Sequence, residues 1–169
     1  MNVYRCRICG DPYIGSDRPT HCPFCGAHQK YLAAAADYQP PAIVDLSGKS
    51  RESLERALEL EIDNSNFYRG AAKVADTEEG KALFQALARV EAEHVAIVCR
   101  ILAIPRPEEL GETGECSPAH KENLAESRRR EERAARLYGR FLEEATEDRV
   151  KEVLTAFVEI ENDHLVLAQ

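Results

Sequence analysis

The sequence predicts a mainly α protein: a four-helix bundle made of two helical hairpins and a long crossover, preceded by a small metal-knuckle module. Three observations carry that expectation. From about Ser50 onward Ala, Leu, Glu and Arg dominate the 169-residue chain, a mixture that favours helix, and apolar residues recur at the three-four spacing of one helix face. Residues 1–31 are instead rich in turn formers, with Gly10, Gly15, Gly26, Pro12, Pro19 and Pro23, and carry two Cys-x-x-Cys pairs. Residues 104–116 form a polar connection too long for a simple antiparallel turn.

Each helix has its own signals. Helix one is expected from a cap at Ser50, with Glu52 in its first turn, to about Ala75, turning Leu54, Leu58, Glu61, Ser65 and Tyr68 inward. Asp76 or Thr77 caps helix two, which buries Leu83, Leu87, Val90, His94, Ile97 and Ile101 and stops near Ala103, before Pro105 and Pro107. Ser117-Pro118 reads as a cap and first turn for helix three, which extends to about Ala145. Thr146 then caps helix four, which runs to Gln169. Two hairpins with a long crossover form the topology of ferritin-like bundles. The resulting boundaries are a module at 1–35, a linker at 36–49 and the bundle at 50–169.

Composition excludes several classes of function. The formal net charge is −8, and residues 1–35 hold four basic and two acidic side chains, so the whole acidic surplus lies in the rest. Such a surface repels phosphate backbones, which argues against nucleic acid as a partner. No apolar run approaches the length of a bilayer span, and the first residues lack the charged-then-apolar order of a signal peptide. The expected compartment is the cytoplasm, where six cysteines read as metal ligands or plain thiols rather than disulfides.

An offset of 70 residues superimposes the two hairpins: Glu61 on Glu131, Tyr68 on Tyr138, Glu91 on Glu161 and His94 on His164. Glu91 and His94 are three residues apart and share one helix face, as do Glu161 and His164. Their stripes are otherwise apolar, with Leu87, Val90 and Ile97 around the first pair and Leu154, Phe157 and Leu165 around the second. A lone carboxylate in such a core costs several kcal/mol unless it is paired or binds a metal. Four converging carboxylates would repel one another and take up protons, a conflict that two cations remove. Four Glu and two His offer an oxygen and nitrogen shell with open positions, which suits iron or manganese better than a closed zinc site.

Tyr68 and Tyr138 follow their glutamates by seven residues, placed either to donate to the ligands or to pack in the core. Glu93 and Asp163 immediately precede the histidines, as acceptors for their outer nitrogens or as solvated groups.

Cys6-Arg-Ile-Cys9-Gly10 and Cys22-Pro-Phe-Cys25-Gly26 can present four thiolates to one metal, each glycine allowing the left-handed turn that aims amides at sulfur. Zinc would make the module a structural ribbon; iron would make it a one-electron carrier. Cys99 reads as a small buried hydrophobe and Cys116 as an exposed thiol. His21, His28 and His120 receive no role. Arg128, Arg129 and Arg130 read as an outer face paired with nearby Glu.

These motifs resemble the rubrerythrin family, in the arrangement with a rubredoxin-like module first. Tyr4-Arg-Cys-Arg-Ile-Cys-Gly with Cys-Pro-Phe-Cys resembles the short rubredoxin module, and Glu61-x6-Tyr68, Glu91-x-x-His94, Glu131 and Glu161-x-x-His164 resemble the di-iron domain. The resemblance implies a di-iron centre that reduces hydrogen peroxide to water, fed by an iron bound to the four cysteines and an electron-donating reductase. It also implies bridging roles for Glu91 and Glu161 and more terminal ones for Glu61 and Glu131. Family members usually carry another glutamate at the position of Ala134, so oxidase or ferroxidase chemistry on dioxygen or Fe(II) stays open, as does a non-enzymatic sensor with a zinc ribbon. Because electron transfer across a whole bundle would be slow, a homodimer pairing one chain's module with the other's bundle is expected.

Overall fold

The structure, a computed structural model, describes residues 1–42 and 45–167. The end of helix four at Gln169 and part of the 36–49 linker therefore lie outside the described residues.

The first residues form a three-stranded antiparallel sheet in the order β2-β1-β3, with β1 at Asn2–Cys6, β2 at Pro12–Gly15 and β3 at Leu32–Ala34. Tyr4 pairs with Tyr13 on one side and Ala34 on the other. Each Cys-x-x-Cys closes a tight turn: the Gly10 amide donates to the Cys6 carbonyl at 2.8 Å and the Gly26 amide to Cys22 at 3.0 Å. Both glycines have positive φ, 81° and 77°, the left-handed backbone that side chains disfavour.

Four long helices follow: α1 (Gly48–Val74), α2 (Glu78–Leu102), α3 (His120–Glu144) and α4 (Asp148–Leu167). The α1–α2 and α3–α4 pairs form the two hairpins, with α1 also packed on α3. The fold is thus the mainly helical, ferritin-like architecture the sequence predicts.

Three helix starts differ from expectation, each for a visible reason. The cap of α1 is Ser47, whose hydroxyl accepts from the Ser50 amide at 3.2 Å, while the Ser50 hydroxyl is turned to Glu147. Helix α3 starts at His120, with Ser117-Pro118 in the turn before it. There the buried Asn123 side chain holds Ser117 from both sides, accepting from its amide at 2.9 Å and donating to its carbonyl at 2.8 Å. Helix α4 starts beyond Thr146, where the Glu147 carboxylate accepts from the Ser47 amide at 2.6 Å and ties the start of α4 to the start of α1. Thr77 caps α2 by accepting from Gly80 at 3.0 Å. No helix among the described residues is long and apolar enough to cross a membrane.

The cysteine module lies against α2 and α4 of its own chain. Arg149 donates to the carbonyls of Arg7 and Ile8, both at 2.8 Å, and Arg100 donates to that of Cys9 at 2.7 Å. A Cβ on Gly26 would stand 3.1 Å from Ile160 Cγ2, so a side chain there would press on α4. Val90, on the inward list for α2, is half-buried on the side that faces Gly26.

Candidate metal centres

Glu61 on α1, Glu91 and His94 on α2, Glu131 on α3, and Glu161 and His164 on α4 meet in the middle of the bundle, all buried. The histidine nitrogens define two halves. His94 Nδ1 stands 3.3 Å from Glu61, 3.0 Å from Glu91 Oε2 and 3.6 Å from Glu161 Oε1. His164 Nδ1 stands 3.4 Å from Glu131, 3.4 Å from Glu91 Oε1 and 3.3 Å from Glu161 Oε2. Glu91 and Glu161 thus turn one oxygen to each histidine, whereas Glu61 and Glu131 each serve one half. Atoms bound at about 2.1 Å to a single ion stand about 3.0 Å apart at right angles and about 3.4 Å apart at tetrahedral angles, so both groups have the spacing of a metal shell.

Polar satisfaction gives the same answer. Both oxygens of Glu91, both of Glu161, Glu61 Oε2 and His94 Nδ1 are buried without a hydrogen bond, a cost that cations would remove. Burial, and then the charge of Glu91, push Glu61 up to about 8. Burial and the charges of Glu91 and Glu131 push Glu161 well above the carboxylate range. For Glu91 burial acts in the same direction, but the neighbouring His164 and His94 outweigh it and hold the group below that range. Such a cluster holds either protons or metal ions, and its donor set fits two metals.

The two tyrosines cross between hairpins. Tyr68 donates to Glu131 Oε1 and lies 3.0 Å from Ser127 Oγ, while Tyr138 donates to Glu61 Oε1. Burial first, and then the charge of the accepting glutamate, raise both hydroxyls well above their ordinary range, so each keeps its proton.

In the module, Cys6, Cys9, Cys22 and Cys25 are all buried. Their sulfurs approach to 3.8 Å for Cys6–Cys25 and 3.7 Å for Cys9–Cys22, against about 3.8 Å for the edge of a tetrahedron with 2.3 Å metal–sulfur bonds. Hydrogen bonding to Cys22, foremost, pushes Cys9 and Cys25 well above the thiol range. The four sulfurs fit one tetrahedral metal ion.

The link between the centres is absent from the sequence pattern. His94 Nε2 lies 3.0 Å from the Cys25 carbonyl; donating there, it leaves the Nδ1 lone pair to the carboxylates. Neither Glu93 nor Asp163 takes that position: Glu93 pairs with Arg100 and Arg106, and Asp163 with His28. Cys99 is buried as expected, whereas Cys116 is half-buried against the cluster around Phe67 and Tyr68. Arg128 and Arg129 pair with Glu132 and Glu126, while Arg130 reaches Asp63 at 2.7 Å and covers the Phe67 ring. His120 packs edge-on against Phe84.

No curated protein matches the chain. Among solved structures it is similar in fold to a hypothetical protein from Pyrococcus furiosus, with 20% identity, a TM-score of 0.59, and coverage of 79% of this chain and 88% of that one. It is also similar in fold to KatB, a manganese catalase from Anabaena, with 13% identity, a TM-score of 0.58, and coverage of 78% and 76%. The sequence profile named Rubrerythrin matches residues 52–168. That match takes in nearly the whole bundle and all six of its converging residues, and the chain belongs to the rubrerythrin family of oxidoreductases.

Proposed function

We propose that the protein reduces hydrogen peroxide to water at a di-iron centre held by Glu61, Glu91, His94, Glu131, Glu161 and His164, with electrons delivered from an iron held by Cys6, Cys9, Cys22 and Cys25. The observation that carries this reading is the hydrogen bond from His94 to the Cys25 carbonyl, because it joins a thiol residue to a residue of the bundle cluster through one imidazole. Iron in the two sites would supply, one electron at a time, the two electrons that with two protons convert one peroxide to two waters.

The chain's own residues prepare that chemistry. Glu91 and Glu161 each turn one oxygen toward His94 and the other toward His164, so they would help hold both ions, and Glu61 and Glu131 would each help hold one. Tyr68 and Tyr138 hold protons at Glu131 Oε1 and Glu61 Oε1, one beside each half of the cluster, where they would supply general-acid chemistry. Phe157, whose ring centroid lies 4.4 Å from that of His94, helps wall the centre from water.

One observation favours a second reading. Ala134 is fully buried where the family resemblance places a glutamate, which leaves the cluster a carboxylate short of the usual set and favours dioxygen or Fe(II) as substrate.

The test is anaerobic purification with metal analysis and a visible spectrum, followed by separate addition of peroxide and oxygen to the reduced protein. The peroxide reading expects iron in the thiolate site and faster oxidation by peroxide. An equal or faster response to oxygen moves the assignment to an oxidase, and zinc in the thiolate site removes the electron carrier and favours a sensor. The electron-donating reductase and a homodimer belong to the same proposal. Because the module lies on its own bundle, reach across a bundle gives no reason for exchange between chains, and sedimentation at micromolar concentration tests the dimer directly.

A further inference from the structure

Apart from the bundle cluster and the four thiols, a third group of ligating atoms converges at the seam between module and bundle. His21 and His28 face each other across an isolated antiparallel bridge, with ring centroids 4.9 Å apart. Asp163 of α4 presents one oxygen, Oδ2, to both rings, 2.7 Å from His28 Nε2 and 3.4 Å from His21 Nε2.

The outer nitrogen of His21 is placed as in metal-binding histidines, where a hydrogen-bond acceptor fixes the tautomer. His21 Nδ1 lies 3.1 Å from Thr20 Oγ1, which leaves Nε2 free to offer its lone pair. His28 Nδ1 lies 3.9 Å from Glu159 Oε2, a buried oxygen without a hydrogen-bond partner. The three side chains are 49%, 35% and 46% exposed for His21, His28 and Asp163, so a bound ion keeps positions open to water. Two imidazoles and a carboxylate select a borderline divalent ion over magnesium or calcium.

We propose that His21 Nε2, His28 Nε2 and Asp163 Oδ2 bind a divalent transition-metal cation that fastens the cysteine module to α4. The His21–Asp163 separation already matches a tetrahedral edge of about 3.4 Å. The His28–Asp163 pair is at hydrogen-bond distance and must open by about 0.7 Å to admit the ion. Binding requires the Nε2 lone pair of His28, so the ring proton moves to Nδ1, on the side that faces the Glu159 carboxylate. No redox step is involved. The ion would join residues 135 positions apart in sequence and stabilise the docked module in proportion to its concentration over its dissociation constant.

The experiment is calorimetric titration of the iron-loaded, full-length protein with Zn2+, with iron content measured before and after. One further Zn2+ per chain at micromolar concentration, with iron unchanged, is expected. H21A and H28A should each weaken that uptake by about tenfold or more while keeping their iron and their helical circular dichroism. An absence of saturable uptake, uptake matched by loss of iron, or uptake unchanged in both variants overturns the proposal. If either variant fails to fold, anomalous scattering at the zinc edge from wild-type crystals soaked in Zn2+ decides the question. A peak bonded to all three atoms supports the site, and no peak there refutes it.

Discussion

His94 Nε2 stands 3.0 Å from the Cys25 carbonyl oxygen, so one imidazole touches both candidate metal centres. The contact depends on docking of the module, and Arg149 is a main fastener through its bonds to the carbonyls of Arg7 and Ile8. R149A should slow oxidation of the thiolate-bound iron by peroxide about tenfold or more, with both metal contents unchanged, because a charged guanidinium contributes about 1.5–3 kcal/mol per hydrogen bond. Stopped-flow absorbance of the reduced protein measures this. An unchanged rate would mean that electrons do not pass through this seam.

The tyrosines offer a test of proton supply. Tyr138 keeps its proton and donates it to Glu61 Oε1. Y138F removes the proton and leaves the ring packed against Phe157. Peroxide reduction should fall by about a hundredfold, the low end of the usual acid–base contribution, while two metals remain in the bundle. A variant with full rate would limit Tyr138 to packing.

Acid stability has a local origin at the start of α4. Burial opposes ionisation of Glu147, but hydrogen bonds from the Ser50 hydroxyl and then the Ser47 amide outweigh it and hold the carboxyl down to about 2. A group whose folded value lies below its ordinary 4.5 contributes stability above that value and loses it as pH falls toward 2. The melting temperature of the wild type should therefore drop between pH 5 and pH 3 more steeply than that of E147Q, which should also be less stable at pH 7. Parallel curves would remove Glu147 from the acid transition.

A residue at the end of α2 adds a stability test. Ala103 adopts φ 57°, ψ 44°, with its amide bonded to the last turn, a conformation that costs a side chain about 1–2 kcal/mol and a glycine little. A103G should stabilise the protein to denaturant by about 1 kcal/mol, because the glycine's greater freedom in the unfolded chain offsets part of the gain. Destabilisation would show that the Ala103 methyl makes contacts that matter.

The bundle and its centre were legible because both follow short-range rules. Three-residue spacing puts Glu91 beside His94 wherever a helix forms, and the 70-residue offset repeats the arrangement in the second hairpin. The Cys-x-x-Cys-Gly turns are equally local. What the sequence hid was contact between distant segments. Asn123 reaches back to Ser117 and fixes where α3 begins, and Glu147 claims the Ser50 hydroxyl that was expected to cap α1. The outer nitrogen of His94 found a backbone carbonyl from the module, which leaves no trace in residue type. His28 and Asp163 showed no pattern because 135 positions separate them.

The two oxygens of Glu91 face His94 and His164 separately, the arrangement expected of a carboxylate that two metal ions would share. Metal analysis of the wild type and E91A, purified side by side with helical content checked, tests it most directly. The wild type should retain two metal ions in the bundle and one at the thiolates. E91A should lose the bundle pair and keep the thiolate metal with its spectrum intact. Three metals per chain in E91A, with unchanged helicity, would contradict it.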